Sequence, residues 1–219
     1  MSDRVDLMGL VNQDVPRAES EGVLTGLKAN KRGETCIIDF YTQCALEGRA
    51  FQVRAGTITT PIVGDVVLTD TKCEMASDIK SGITFMPVFL NIAVRLGAGT
   101  LHEYAAKSVA AAVTTAGTAF VPLPLYMGGV ASMCPASTGT AGGVVVAAEL
   151  ATTTRRHWSY SNPLAVAAGH GVTVHDWQPR MPPVLAGVAS FYVQIAATGT
   201  GPSYYASYDY IELPTNAIS

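Results

Sequence analysis

The strongest hydrophobic pattern in the chain runs from Ile83 to Leu96. Its even positions from Met86 onward are Met86, Val88, Leu90, Ile92, Val94 and Leu96. Successive side chains of an extended chain point to opposite faces, so these six predict one unbroken apolar stripe on a long strand. The other face carries Phe85 and Phe89, then Asn91, Ala93 and Arg95. That order predicts a strand buried on both sides at its start and polar on one side at its end. Pro87 has no N–H to give to a ladder, so regular pairing is expected from Val88, with an edge or a bulge before it. We read the stretch as the central strand of a β-sandwich.

Alternation elsewhere predicts further strands. Over 34–41, Cys36, Ile38 and Phe40 share a face, and over 50–55 Phe51 and Val53 do. A strand region over 57–69 is interrupted by Pro61 and Gly64-Asp65, and 119–126 reads as an edge because of Pro122 and Pro124. Short strands are expected over 144–150, 155–160 and 172–174. Over 184–197, Phe191, Val193 and Ile195 point inward and Ser190, Tyr192 and Gln194 outward, and the last strand spans 204–213.

Residues 71–81 read as a polar linking loop and 128–143 as a long loop of small residues. Thr100-Leu101-His102-Glu103 fits a capping box, in which the threonine bonds the N–H three residues on and Glu103 reaches back. Glu103 and Lys107 are spaced as an i,i+4 pair, and Ala105, Ala106 and Ala110 to Ala112 favour helix, so one short helix is expected here.

Residues 1–33 read as an extended N-terminal arm with a polar connector over 16–22, and 34–219 as a single domain. About eight to ten short strands, without βαβ alternation or a fixed repeat, predict an all-β, two-sheet sandwich. Trp158 and Trp177 both follow the last cysteine, so the Cys–Trp–Cys order of immunoglobulin domains is absent and a jelly roll is expected.

Composition changes the picture in one respect. Charged residues make up only 14% of the chain, and of these only seven lie in 108–219: Glu149, Arg155, Arg156, Asp176, Arg180, Asp209 and Glu212. A soluble monomer usually keeps more charge on its surface. A surface of Ala, Gly, Thr, Ser and Tyr suits contact with other protein. The net charge of −3 and an arm with Arg4 and Arg17 against Asp3, Asp6, Asp14, Glu19 and Glu21 predict no direct nucleic-acid binding. The acidic N-terminus is not that of a secretory leader. The 41 uncharged residues between Lys107 and Glu149 are broken by Pro122, Pro124 and Pro135, so no transmembrane segment is expected there.

No catalytic, cofactor or metal motif emerges. Cys36, Cys44, Cys73 and Cys134 lack metal-ligand spacing and read as buried thiols, with a Cys36–Cys44 bond left open. His170 and His175 flank a short strand at an odd separation, which puts them on opposite faces, so a metal site built from them and Asp176 would need a bend. Ser77-Asp78-Ile79-Lys80 matches Ser-x-x-Lys without the partner motifs of penicillin-recognising enzymes. Paired carboxylates are scarce in the acid-poor second half. Arg155-Arg156-His157-Trp158 reads as an interface patch. Tyr204, Tyr208 and Tyr210 form a stripe that suits either a subunit interface or, with Trp177, a sugar-stacking platform.

The charge-poor, Ala/Gly/Thr/Ser-rich second half, the many short strands and the polar arm together resemble virion shell (capsid) proteins of the single jelly-roll kind. The resemblance is one of overall style across the chain. It implies a non-enzymatic structural subunit of a virion that assembles with copies of itself and other shell proteins, as an icosahedral shell or as its decoration. The acidic arm departs from the basic arms of shell proteins that touch the genome, which implies packing against protein instead. The rival expectation is a carbohydrate-binding β-sandwich that meets a host-surface glycan.

Overall fold

A computed structural model describes residues 39–68, 72–96, 101–113, 117–139, 144–145, 154–162 and 172–215. The expected arm over 1–33 lies outside the described residues. The elements are one helix, α1 (Phe40–Leu46), and the strands β1 (Ala50–Ala55), β2 (Ile62–Val63), β3 (Lys72–Cys73), β4 (Met75–Ile79), β5 (Ile83–Leu96), β6 (His102–Val109), β7 (Thr118–Phe120), β8 (Leu123–Pro124), β9 (Ala136–Thr138), β10 (Val144–Val145), β11 (Thr154–Asn162), β12 (Thr173–Trp177), β13 (Leu185–Ala186), β14 (Ala189–Ala197) and β15 (Ser203–Pro214).

Eight of these strands pair as a nested, antiparallel ribbon. β1 pairs with β15, β4 with β14, β5 with β12, and β6 with β11. The ribbon is rolled so that β5 lies against β15 and β6 against β14. This gives one sheet in the order β12-β5-β15-β1-β8 and a second in the order β11-β6-β14-β4-β9-β7. First with last, second with second-last, is the connectivity of a jelly roll, and the two-sheet all-β expectation holds.

The core lies between the sheets. Phe51 and Val53, then Phe85, Leu90, Ile92 and Val94, meet Phe191, Val193 and Ile195 of the facing sheet. Each fully buried side chain of this size contributes about 1.5–3 kcal/mol. Tyr204, Tyr208 and Tyr210 are fully buried in the same core, with the Phe85 and Tyr210 rings stacked 4.2 Å apart. The stripe of tyrosines is therefore interior packing.

β5 has the predicted boundaries and an internal position, but its stripe is not unbroken. Pairing with β15 runs through Pro87↔Tyr210 down to Ile83↔Pro214, and a bulge lies between the Phe89 and Pro87 pairs. The extra residue, Val88, reverses the face parity. Phe85 joins Leu90, Ile92 and Val94 in the inter-sheet core, while Met86 and Val88 pack on the outer face against Cys44, Ile211 and Leu213.

Six other expectations are corrected. Phe40 and Tyr41, expected in a strand over 34–41, begin α1; the Asp39 side chain caps the helix by accepting from the N–H groups of Tyr41 and Thr42 at 3.0 Å. Its C-terminus is a Schellman motif, with Gly48 at φ +71° and bonds from Gly48 N–H to the Ala45 carbonyl and Arg49 N–H to the Cys44 carbonyl. The expected helix after Thr100 is β6, buried along nearly its whole length. Glu103 and Lys107 still face one another, at 3.9 Å, because a spacing of four places two residues on one face of a strand as well.

The expected loop over 71–81 contains β3 and the buried β4, and the expected loop over 128–143 contains β9, which pairs with both β4 and β7. Of the strand region expected over 57–69, the described residues form β2 and an isolated bridge from Asp65 to Ala196. Over 184–197 the structure has two strands separated at Gly187 (φ +79°). All nine residues of β14 are buried, so its outward face is covered too.

Candidate functional site

Strand order gives the sandwich two open sides. β8 and β7 end the two sheets on one side, and β12 and β11 end them on the other. Apolar side chains exposed to solvent collect on both.

On the first side, the chain between β7 and β9 carries Val121 (72% exposed), Met127 (90%) and Val130 (73%), with Tyr126 and Met133 also exposed. Its tip is a tight turn. Gly129 N–H donates to the Tyr126 carbonyl at 2.8 Å, and Gly128, at φ +89°, occupies the position of a type II turn that requires positive φ. Met127 is held at the summit. Behind it, Glu212 fastens the segment to β15: its carboxylate accepts from the N–H groups of Met133 and Cys134 and from the Ser132 hydroxyl.

On the second side two clefts adjoin. One of about 270 Å³ is lined by Ser108, Arg155, Val184 and Leu185; the next, of about 570 Å³, is lined by His157, Trp177, Pro179, Met181, Pro182 and Val184. His157 and Ser108 share a hydrogen bond of 2.8 Å where they meet. The imidazole is stacked at 6.4 Å on Trp177 and 6.5 Å on Phe191. Burial, aided by the Arg155 charge, lowers its pKa, so it is neutral near pH 7. The His157–Ser108 pair resembles half of a nucleophile–base arrangement, but Ser108 is only 3% exposed and serves as a partner for the imidazole.

The cluster Arg155-Arg156-His157-Trp158 is not one patch. A bulge between Arg156 and Trp158 turns His157 and Trp158 toward the core. Arg156 leaves by the other face and pairs with Glu103 at 3.0 Å. Arg155 alone lines the cleft.

His170 lies outside the described residues. His175 packs against Tyr160 and Tyr104, and burial lowers its pKa despite the neighbouring Asp176. Asp176 accepts from Asn91. Among the described residues no three His, Cys, Asp or Glu side chains come together to hold a metal, and Cys44, Cys73 and Cys134 are buried free thiols. The three stripe tyrosines are fully buried and present no stacking surface, while Trp177, 9% exposed, reaches solvent in the wall of the larger cleft. Among the described residues no helix is long and apolar enough to cross a membrane.

A buried polar network that the sequence did not signal ties the outer face of the second sheet. Lys107, 1% exposed, donates to Gln194 Oε1 at 2.7 Å, and Gln194 donates to the Leu68 carbonyl at 3.0 Å. Glu74 accepts from Asp65 N–H at 3.0 Å and Ile195 N–H at 2.5 Å. Burial pushes its pKa up to about 8, although the two N–H bonds pull the other way.

No family model matches the chain, and no curated protein is significantly similar to it.

Proposed function

We propose that this chain is a structural virion protein, a capsid subunit that self-assembles with copies of itself and other shell proteins into an icosahedral shell, or that decorates one. The observation that carries the reading is the pair of exposed apolar surfaces on opposite sides of a jelly roll. Jelly rolls serve in viral shells, lectins and cupins alike. A subunit that must meet neighbours on more than one side needs more than one such surface. The shortage of charge after residue 107 supports the same reading, because it removes ions that an interface would have to desolvate. With its candidate tyrosines inside the core, a glycan platform has less to recommend it. The role is non-enzymatic and its place is the virion.

The test is the state of association of the purified protein, by light scattering after size exclusion and by negative-stain imaging. Closed particles or a discrete oligomer are expected. A monodisperse monomer at micromolar concentration would overturn the proposal.

A further inference from the structure

The side of the sandwich bounded by β11 and β12 is closed by rings. The two strands end different sheets and share no hydrogen-bonded ladder. Two ring contacts span the gap, each with one ring from either strand. His157 of β11 lies on Trp177 of β12 at 6.4 Å, and Tyr160 of β11 lies on His175 of β12 at 4.2 Å. His175 and Trp177 share a face of β12 by the period of two. His157 and Tyr160 are three apart and share a face only because the bulge after Arg156 adds a residue to β11.

The two histidines stand in different surroundings. A proton on His175 is met by the Tyr160 and Tyr104 rings at 4.2 and 5.1 Å, within the ~6 Å over which a ring face holds a cation. The Asp176 carboxylate beside it favours the charge as well. His157 has no such help. Trp177 and Phe191 lie beyond that range, at 6.4 and 6.5 Å. From β6, the Ser108 hydroxyl meets Nε2, and it is the one hydrogen-bond partner the described residues give this ring. The segment after β12 presents prolines, Met181 and Val184, none of which ionises. The one charge that acts on His157, Arg155, has the sign of an imidazolium. A protonated His157 is therefore a half-buried cation with an unpaired N–H beside a guanidinium, which water would solvate better.

We propose that His157 is the trigger of an acid-operated latch: its protonation moves the imidazole out from between Trp177 and Phe191, parts β11 from β12 at that end and bares the apolar Trp177 wall, while the Tyr160–His175 contact stays shut as the pivot. Burial and the Arg155 charge hold the His157 pKa below the ordinary 6.5 in the closed form. The closed form is favoured in full above pH 6.5 and loses ground as pH falls through that lower value. The latch needs no second copy, so it stands apart from the reading of the chain as an assembling subunit.

Tryptophan fluorescence tests it. Full-length Trp158→Phe protein keeps Trp177 as its one tryptophan, a reporter in the latch itself. From pH 7.5 to pH 5 the Trp177 emission should move to the red and its acrylamide quenching rise at least ~2-fold, as a local opening requires, with far-UV circular dichroism unchanged. Adding His157→Gln, which stays neutral and still reaches Ser108, should abolish the response, whereas adding His175→Gln should leave it. In the unsubstituted protein, amide exchange corrected for its intrinsic pH dependence should quicken at pH 5 in β11 around His157 and not in β14. A response that survives His157→Gln, or vanishes with His175→Gln, would overturn His157 as the trigger. A Trp177 signal indifferent to pH would overturn the latch, and loss of protection in β14 as well would replace it with acid unfolding of the whole domain.

Discussion

The hydroxyls of Ser77 and Tyr208 meet 2.6 Å apart inside the sandwich, one from β4 and one from β15, each side chain fully buried. They are a polar bond between the two sheets. Tyr208→Phe leaves the serine hydroxyl without that partner and should cost about 1–3 kcal/mol, as should Ser77→Ala. The double variant, which removes both hydroxyls, should cost less than the sum. Urea unfolding of the four proteins of this cycle checks it; strict additivity would show that the bond contributes nothing of its own.

Gly64 and Gly201 cross so closely that neither tolerates a side chain. A Cβ on Gly201 would lie 1.9 Å from the Gly64 carbonyl oxygen, and one on Gly64 would lie 2.2 Å from that of Ile195. The contact joins the chain after β2 to the turn between β14 and β15, with Gly64 N–H donating to the Pro202 carbonyl at 2.8 Å. Gly201→Ala and Gly64→Ala should each destabilise by at least ~1–3 kcal/mol, the cost of overpacking. Gly48, at the helix end with open space around it, is the control: alanine there is strained only by its positive φ and should cost about 1 kcal/mol. Thermal melts that ranked Gly48→Ala as the worst of the three would contradict the crossing.

The bulge at Val88 makes neighbouring substitutions unequal. Leu90 is fully buried between the sheets, while Val88 is half-buried beneath α1. Leu90→Asp places an unpaired charge in the core and should abolish folding, a cost above ~4 kcal/mol. Val88→Asp should loosen α1 and cost about 1–3 kcal/mol. Equal effects on the melting temperature would argue that both residues face the same layer.

Glu74 sets a pH dependence. Its folded pKa of about 8 lies above the ordinary 4.5, so between these values the unfolded chain releases a proton that the folded one keeps. Stability from this group is full below about pH 4.5 and falls as pH rises toward 8. Glu74→Gln should flatten that slope. Because the amide NH₂ cannot accept from a backbone N–H, it should also cost about 1–3 kcal/mol at pH 5. Unfolding midpoints of wild type and variant at pH 5 and pH 8 test both statements; parallel slopes would mean that Glu74 is ionised in the fold throughout.

Where one face of a strand is apolar and the other is not, the sequence reveals it. β1 and β5 lie on their predicted limits and β15 within one residue of them; the sandwich follows from the number of short strands, and the jelly roll from the missing Cys–Trp–Cys order. β4 and β6 escaped because both of their faces are buried. With Tyr192, Val109 and Val113 closing the outer face of the second sheet, Met75 to Ile79 and the alanines of β6 have no polar phase to alternate against. They therefore mimic loop and helix. α1 was legible in principle from Asp39 and Gly48, an N-cap and a C′ glycine nine residues apart. The candidate surfaces were half legible. The uncharged stretch pointed to contact with protein, but no local pattern says that Trp177 belongs to a cleft, since its walls come from β11, β12 and the prolines after them.

The pairing of first strand with last bears on how the chain folds. β15 is not an edge: it lies between β1 and β5 and supplies Tyr204, Tyr208 and Tyr210 to the core. During synthesis β1 waits through about 150 residues, about 8–30 s at ordinary elongation rates, before its partner emerges. Until then one sheet lacks its middle, so a chain released early cannot bury its core. The core is therefore completed only once β15 has emerged, and chains that stop short of it stay open to chaperones and proteases.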